Sequence, residues 1–194
     1  MATTNDIYAE MQRYAPLELA ESWDNPGLLV DCGGAVRRVL VTLDITPEVV
    51  AEAAAKQCTV IVAHHPVIFD PLKRLCPADV PYQLVQAGIS AICMHTNLDA
   101  ADGGVNDALA EKLGLLQTEY LTDEKIGRVG TLKCQIPLVE FTRFVVKSLG
   151  CNGLRYTDCG RPVHRVAVGG GACGEYIAQA IALGCDTFVT SDLR

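Results

Sequence analysis

Val39-Leu40-Val41-Thr42-Leu43, then Thr46-Pro47 opening an Ala/Val-rich stretch to Gln57, then Thr59-Val60-Ile61-Val62-Ala63 closing on His64-His65-Pro66: this run decides the fold. Both apolar runs are short and rich in β-branched residues, so they read as buried strands. Thr46 is an N-cap with proline behind it at the first helical position. The unit is β-α-β, which belongs to a parallel sheet in an α/β protein.

Towards the C-terminus, a loop with Pro71 and Pro77 leads to a helix near Pro81 to Ala87, closed by Gly88. Ile89 to Met94 is a further buried strand with His95 at its end, and Val105 to Leu113 is a helix stopped by Gly114. The charged Thr122-Asp123-Glu124-Lys125 stretch marks a boundary, giving a first α/β lobe over 1–124 and a second over 125–194. The second lobe starts with a strand from Arg128 to Ile136 and a helix from about Leu138 to Ser148, ended by Gly150.

The chain also resembles itself. Arg38 to His65 and Arg165 to Asp192 align without gaps at a constant offset of 127, with identities at Arg38, Val39, Val41, Glu48, Ala51, Ala53, Ala55, Cys58 and Val62. Roughly two or three matches would arise from composition. Duplication and convergent β-α-β patterning both account for the match, and either way the chain holds two similar half-sheets.

Composition narrows the function classes. The 194 residues are 49% hydrophobic and 20% charged, ordinary for a globular chain. Sixteen Lys and Arg against twenty-three Asp and Glu leave a net charge of −7, with a pI near 5.0, which argues against a nucleic-acid partner. Mean hydropathy is +0.22, yet no apolar run approaches the length of a membrane span. The opening Met1-Ala2-Thr3-Thr4-Asn5-Asp6 has no basic and apolar leader, so a cytoplasmic location is expected. Nine cysteines without a C-x-x-C pair read as buried reduced thiols, with Cys58, Cys93 and Cys185 inside apolar, strand-like stretches.

Parallel sheets bind ligands at the carboxyl ends of their strands. Those ends offer Asp44, His64 with His65, His95 with Asp99, and in the second lobe Ser191 and Asp192. Pro66 pushes His65 towards extended backbone, where neighbouring residues point to opposite sides. Two such imidazoles serve two neighbouring ions better than one, with a carboxylate between them. The plainer reading is a strand-capping histidine beside an exposed one. A third histidine and Asp99 at the adjacent strand end favour metal, with Asp99 a hard-oxygen ligand. His95 either binds directly or orients a ligand from behind, and the second role is preferred. Asp102, beside two glycines, reads as a turn residue. Gly169-Gly170-Gly171 reads as a tight turn that could face a ligand but lacks dinucleotide-loop spacing, and Ser191 lacks a triad motif.

Together, Trp23-Asp24-Asn25-Pro26-Gly27-Leu28, Ala63-His64-His65-Pro66-Val67-Ile68-Phe69, His95-Thr96-Asn97-Leu98-Asp99 with Gly103-Gly104-Val105-Asn106, Gly127-Arg128-Val129-Gly130, Val168-Gly169-Gly170-Gly171 and Thr190-Ser191-Asp192 resemble the NIF-three-like dinuclear-metal proteins, the GTP cyclohydrolase 1 type 2 homologs. The resemblance implies an α/β fold of two related lobes with mainly parallel sheets. It also implies two divalent metal ions in the cleft between the lobes and a toroidal homohexamer. His64, His65 and Asp99 match the family's metal ligands, and His95 matches a histidine near the metals. Zinc, iron and manganese are the candidate ions. The short Leu121 to Leu138 junction has no room for the extra domain of longer members. Relatives supply a further His and a Glu beyond the strand that ends here at Ser191-Asp192, whereas this sequence stops at Arg194, so half the metal shell is expected to be missing, and a shortened chain is preferred over a natural degenerate member as the reason.

Two functions follow from the resemblance. One is metal-dependent hydrolysis of a nucleotide-like or phosphoester small molecule. The other is a non-catalytic metal-holding, metal-delivering or regulatory role. With aromatics at only 6% of the chain, stacking platforms for a purine are scarce.

Overall fold

In the computed structural model the deciding run folds as strand, helix, parallel strand, with the Thr46 hydroxyl accepting from the Val49 N–H at 3.3 Å to cap the helix. Residues 1–193 are described; Arg194, where the sequence stops, lies outside them.

The chain divides into two units, Met1–Ala101 and Asp102–Arg194. This division falls earlier than the 124/125 boundary expected from the charged stretch. The reason is local: Thr122 to Lys125 is the turn of a hairpin within the second unit, closed by Leu121 N–H on the Gly127 carbonyl at 3.3 Å. Its polarity reflects a solvated turn, with Lys125 in the left-handed region at φ 69°.

The first unit contains β1 (Ala2–Thr3), α1 (Thr4–Tyr14), β2 (Gly27–Val30), β3 (Ala35–Val36), β4 (Val39–Thr42), α2 (Pro47–Ala55), β5 (Val60–Ala63), α3 (Val80–Ala87), β6 (Ser90–Cys93) and α4 (Thr96–Ala100). Its main sheet runs β2-β6-β5-β4, parallel across β4, β5 and β6 and antiparallel at β2. β5 and β6 are buried throughout, because both of their faces are covered. Ile61 and Ala91 pack with Val50, Ala53 and Leu84 on one face, while Val60, Val62 and Ile92 pack with Val36 and Met94 on the other.

The second unit contains α5 (Val105–Lys112), β7 (Leu116–Tyr120), β8 (Arg128–Ile136), α6 (Leu138–Leu149), β9 (Val163–Ala172), α7 (Ile177–Ala182) and β10 (Thr187–Asp192). Its sheet runs β10-β9-β8-β7, and only the β9–β10 pair is parallel. The expectation of mainly parallel sheets is therefore corrected here to a mixed sheet. β7 reaches β8 across residues 121–127, too short for anything but a hairpin, and β9 reaches β10 through the α7 crossover, whereas β8 and β9 pair antiparallel with α6 between them. The glycine run is likewise part of β9 rather than a turn after it. A Cβ on Gly169 would sit 2.7 Å from that of Cys173, so glycine there permits close packing.

The internal repeat has a structural counterpart. β4 pairs with β5 as Val39↔Val60 through Thr42↔Ala63, and β9 pairs with β10 as Val166↔Thr187 through Gly169↔Thr190, the same register moved by the same offset. The helix exits also coincide. Cys58 N–H donates to the Ala53 carbonyl at 2.8 Å, and Cys185 N–H donates to the Ala180 carbonyl at 3.0 Å. The residues before them, Gln57 and Gly184, both take positive φ.

All nine cysteines are free, in line with the reduced reading, but their burial is uneven. Cys58, Cys93 and Cys173 are buried, Cys185 is partly buried just ahead of its strand, and Cys134, Cys151 and Cys159 are exposed. Among the described residues no helix is long and apolar enough to cross a membrane.

Candidate metal centre

Three adjacent strand ends of the first unit deliver the site. Parallel pairing continues past the strands, with His64 N–H on the Thr42 carbonyl at 3.3 Å, His65 N–H on Leu43 at 3.0 Å and Met94 N–H on Ala63 at 2.9 Å. This keeps the three chain exits in register, so His64 and His65 leave β5 beside His95, which leaves β6. The chain bends at His64 and His65, which ends the strand alternation. Their rings therefore do not diverge as the extended reading expected. The ring centroids lie 5.1 Å apart for His64 and His65, 5.3 Å for His64 and His95, and 5.7 Å for His65 and His95.

Each ring is oriented through Nδ1. His64 Nδ1 is 2.9 Å from the Met94 carbonyl, His65 Nδ1 is 2.7 Å from Asp44 Oδ1, and His95 Nδ1 is 2.8 Å from Asp24 Oδ1. A carbonyl or carboxylate oxygen only accepts, so Nδ1 carries the proton in each case. In the neutral ring Nε2 then keeps a lone pair for a metal. One ring nitrogen from each histidine lies within 4.8 Å of the other two. Asp99, on the first turns of α4, places Oδ1 3.7 Å from His64 Nε2.

Asp24 is the best-anchored group of the centre. Its side chain is fully buried, and besides His95 it accepts from Asn25 N–H at 2.8 Å, Thr96 N–H at 3.0 Å and the Thr96 hydroxyl. Burial pushes its carboxyl up, but the hydrogen bonds from His95, Thr96 and Asn25 outweigh it and hold the pKa down at about 2. The same contact raises the His95 pKa against the effect of burial. Burial raises that of Asp99, against the pull of the His64 and His95 rings. Asn97, fully buried, fixes the turn into α4 by accepting from His95 N–H at 2.9 Å and donating to the Ala15 carbonyl at 2.8 Å.

The structure thus brings together His64, His65, His95 and Asp99, all within the first unit. His95, expected to orient from behind, presents its ring to the same space as the other two. Asp44 stands behind His65 as its acceptor, and Asp102 accepts from the Tyr120 hydroxyl at 2.5 Å. Ser191 donates to the Gly171 carbonyl at 2.8 Å, and Gly170 N–H is taken by Asn106 Oδ1 at 2.8 Å, so that amide is not free for a phosphate. Sequence reasoning missed Asp24. The available signal was the acid inside Trp23-Asp24-Asn25-Pro26-Gly27, a segment with no apolar periodicity of its own.

The donor set fits a divalent transition metal. Ligands on bonds of about 2.1 Å stand about 3.4 Å apart in a tetrahedral shell and at most about 4.2 Å apart when opposed. The 3.7 Å between His64 Nε2 and Asp99 Oδ1 falls in that range. Imidazole with carboxylate suits zinc, iron and manganese.

Residues 2–194 match the family model Duf34/NIF3 (NGG1p interacting factor 3). A Lactococcus lactis protein named GTP cyclohydrolase 1 type 2 homolog is 35% identical over 199 residues, covering 97% of this chain and 77% of that one. A Clostridium perfringens protein of the same name is 31% identical, covering 97% and 76%. The solved structure of a Bacillus cereus protein related to NIF3 superposes with a TM-score of 0.93 at 25% identity, over all of this chain and 83% of the other. With match, identity and fold in agreement over nearly its whole length, the chain belongs to the Duf34/NIF3 family.

Proposed function

We propose that this chain is a dinuclear divalent-metal-binding protein that acts as a metal-dependent hydrolase on a nucleotide-like or phosphoester substrate. The observation that carries the reading is the common posture of three imidazoles. Each commits Nδ1 to an oxygen acceptor, one nitrogen of each ring lies within 4.8 Å of the other two, and His64 Nε2 stands 3.7 Å from Asp99 Oδ1. His64, His65 and Asp99 would hold the ions, and His95, with Asp24 behind it, joins or orients them. Bound ions of this kind supply Lewis acidity and a water acidic enough to act as nucleophile near neutral pH. The chain's own part is to fix ring tautomers through Met94, Asp44 and Asp24, so that the ligand atoms are set before metal arrives. The name of the Lactococcus lactis relative points to GTP as a first substrate to try.

The test is metal content of the purified chain after loading with zinc, manganese or iron, followed by a hydrolysis screen over nucleotides and phosphoesters. Metal binding that falls away in His64→Ala and His65→Ala, together with turnover that tracks metal, is expected. Tight metal without turnover would favour a metal-holding or metal-delivering role. Failure to retain metal would overturn both.

A further inference from the structure

Trp23 is the chain's one tryptophan, and 61% of it is exposed. Its ring centroid lies 6.1 Å from that of Phe69, itself 48% exposed, and 6.3 Å from that of His95, which it meets edge-on at 79°. Two large aromatic side chains are therefore left in water at the rim of the histidine cluster, where burial in the core would have been favourable.

They are exposed without being loosely attached. Asp24, the next residue after Trp23, is locked by four hydrogen bonds to His95, Thr96 and Asn25. Asn25 donates from Nδ2 to the Ile68 carbonyl at 2.7 Å, which ties the loop carrying Trp23 to the residue just ahead of Phe69. The tilt of 51° between the two rings keeps them from stacking on one another, so each retains a face for something else. A rigid aromatic pair beside a few convergent polar groups is the usual form of a site that orients a flat ligand.

We infer that Trp23 and Phe69 form an aromatic wall that receives a planar heteroaromatic ring and so presents the rest of that molecule to His64, His65 and His95. The inference deepens the metal-site reading. Of the two substrate classes left open there, it selects the one that carries a ring. Trp23 and Phe69 act as ligand-positioning residues and leave metal retention to the histidines.

Because Trp23 is the only tryptophan, its fluorescence reports the wall directly. The chain, metal-free and zinc-loaded, is titrated with guanosine, with adenosine and with ribose 5-phosphate as the ringless control, and zinc content is measured on the same samples. Saturable quenching by the nucleosides and none by ribose 5-phosphate is expected. Phe69→Ala should weaken nucleoside binding about tenfold with zinc content unchanged, and Phe69→Tyr should restore it. By calorimetry, Trp23→Phe should bind and Trp23→Ala should not. Equal responses to ribose 5-phosphate, no response to either nucleoside, or a Trp23 shielded from acrylamide before any ligand is added would each overturn the inference. Loss of zinc with nucleoside quenching intact would instead count against the metal reading alone.

Discussion

Asp24 and His95 are 71 residues apart in sequence and 2.8 Å apart in the structure, with the carboxylate fully buried behind the imidazole. Asp24 fixes the His95 tautomer with one oxygen and the start of α4 with the other, so one side chain positions both a candidate ligand ring and the helix that carries Asp99. Asp24→Asn exchanges an acceptor for a donor facing Thr96 N–H. It is expected to lose about 2–4 kcal/mol of stability, because buried donors are left without acceptors. Zinc affinity should also fall about 10- to 100-fold, the usual effect of removing a ligand's supporting partner. Urea unfolding and zinc titration measure the two effects separately.

The three imidazoles are not equally supported. His65 leans on the exposed Asp44, whereas His64 donates to a backbone carbonyl that no side-chain substitution removes, and His95 leans on buried Asp24. Asp44→Ala is therefore expected to weaken metal binding only several-fold, because water can replace an exposed acceptor. His95→Ala should reduce it at least as much as His65→Ala. Competition against a chromophoric zinc chelator ranks the variants, and a His95→Ala protein with unchanged affinity would return His95 to a purely orienting role.

Local signals carry the parts of this fold that sequence reveals. Thr46, Pro47 and the flanking β-branched runs specify the β4-α2-β5 unit from within thirty residues, and strand-end placement points to His64, His65 and His95, which the fold brings together. The β7–β8 hairpin was hidden because its turn, Thr122 to Lys125, is charged and has lysine rather than glycine at the positive φ of position 125, so it reads as a linker. Asp24 was hidden because its role depends on partners brought from β6 and α4. Burial of its carboxylate is a tertiary event with no periodicity to announce it.

The cysteines should separate by environment. Nine free thiols are expected on the unfolded chain, and on the folded chain Cys134, Cys151 and Cys159 should react first with an aromatic disulfide reagent. Cys93 should react last. Burial and the nearby Asp24 charge push its thiol up to about 12, and its Sγ donates to the His64 carbonyl at 3.0 Å. Timed labelling followed by peptide mass analysis gives the order, and early modification of Cys93 would mean that the β6 end opens readily.

The second unit has its own buried charge, and its pH dependence follows in sign. Arg128, only 2% exposed, donates through Nε and Nη2 to the two oxygens of Asp107, and its Nη1 donates to the carbonyls of Lys125 and Gly127 at 2.8 and 2.9 Å. Burial pushes the Asp107 carboxyl up, but the Arg128 guanidinium and the Gly103 N–H outweigh it and hold the group below its ordinary value. A carboxyl lowered by folding stabilises the native state above its unfolded pKa of about 3.9, and that stabilisation is lost as pH falls through the lower folded value. Below that value the protonated acid no longer balances a guanidinium that cannot itself give up its proton. Asp107→Asn should therefore cost about 2–3 kcal/mol at neutral pH, less than a fully buried broken pair because Asp107 is partly solvated. The variant should also show a flatter stability profile between about pH 5 and pH 2 than the parent chain. Unfolding by urea at a series of pH values measures both. A variant whose stability falls as steeply with acid as the parent's would place the acid-sensitive group elsewhere, with Asp24 the next carboxylate to substitute.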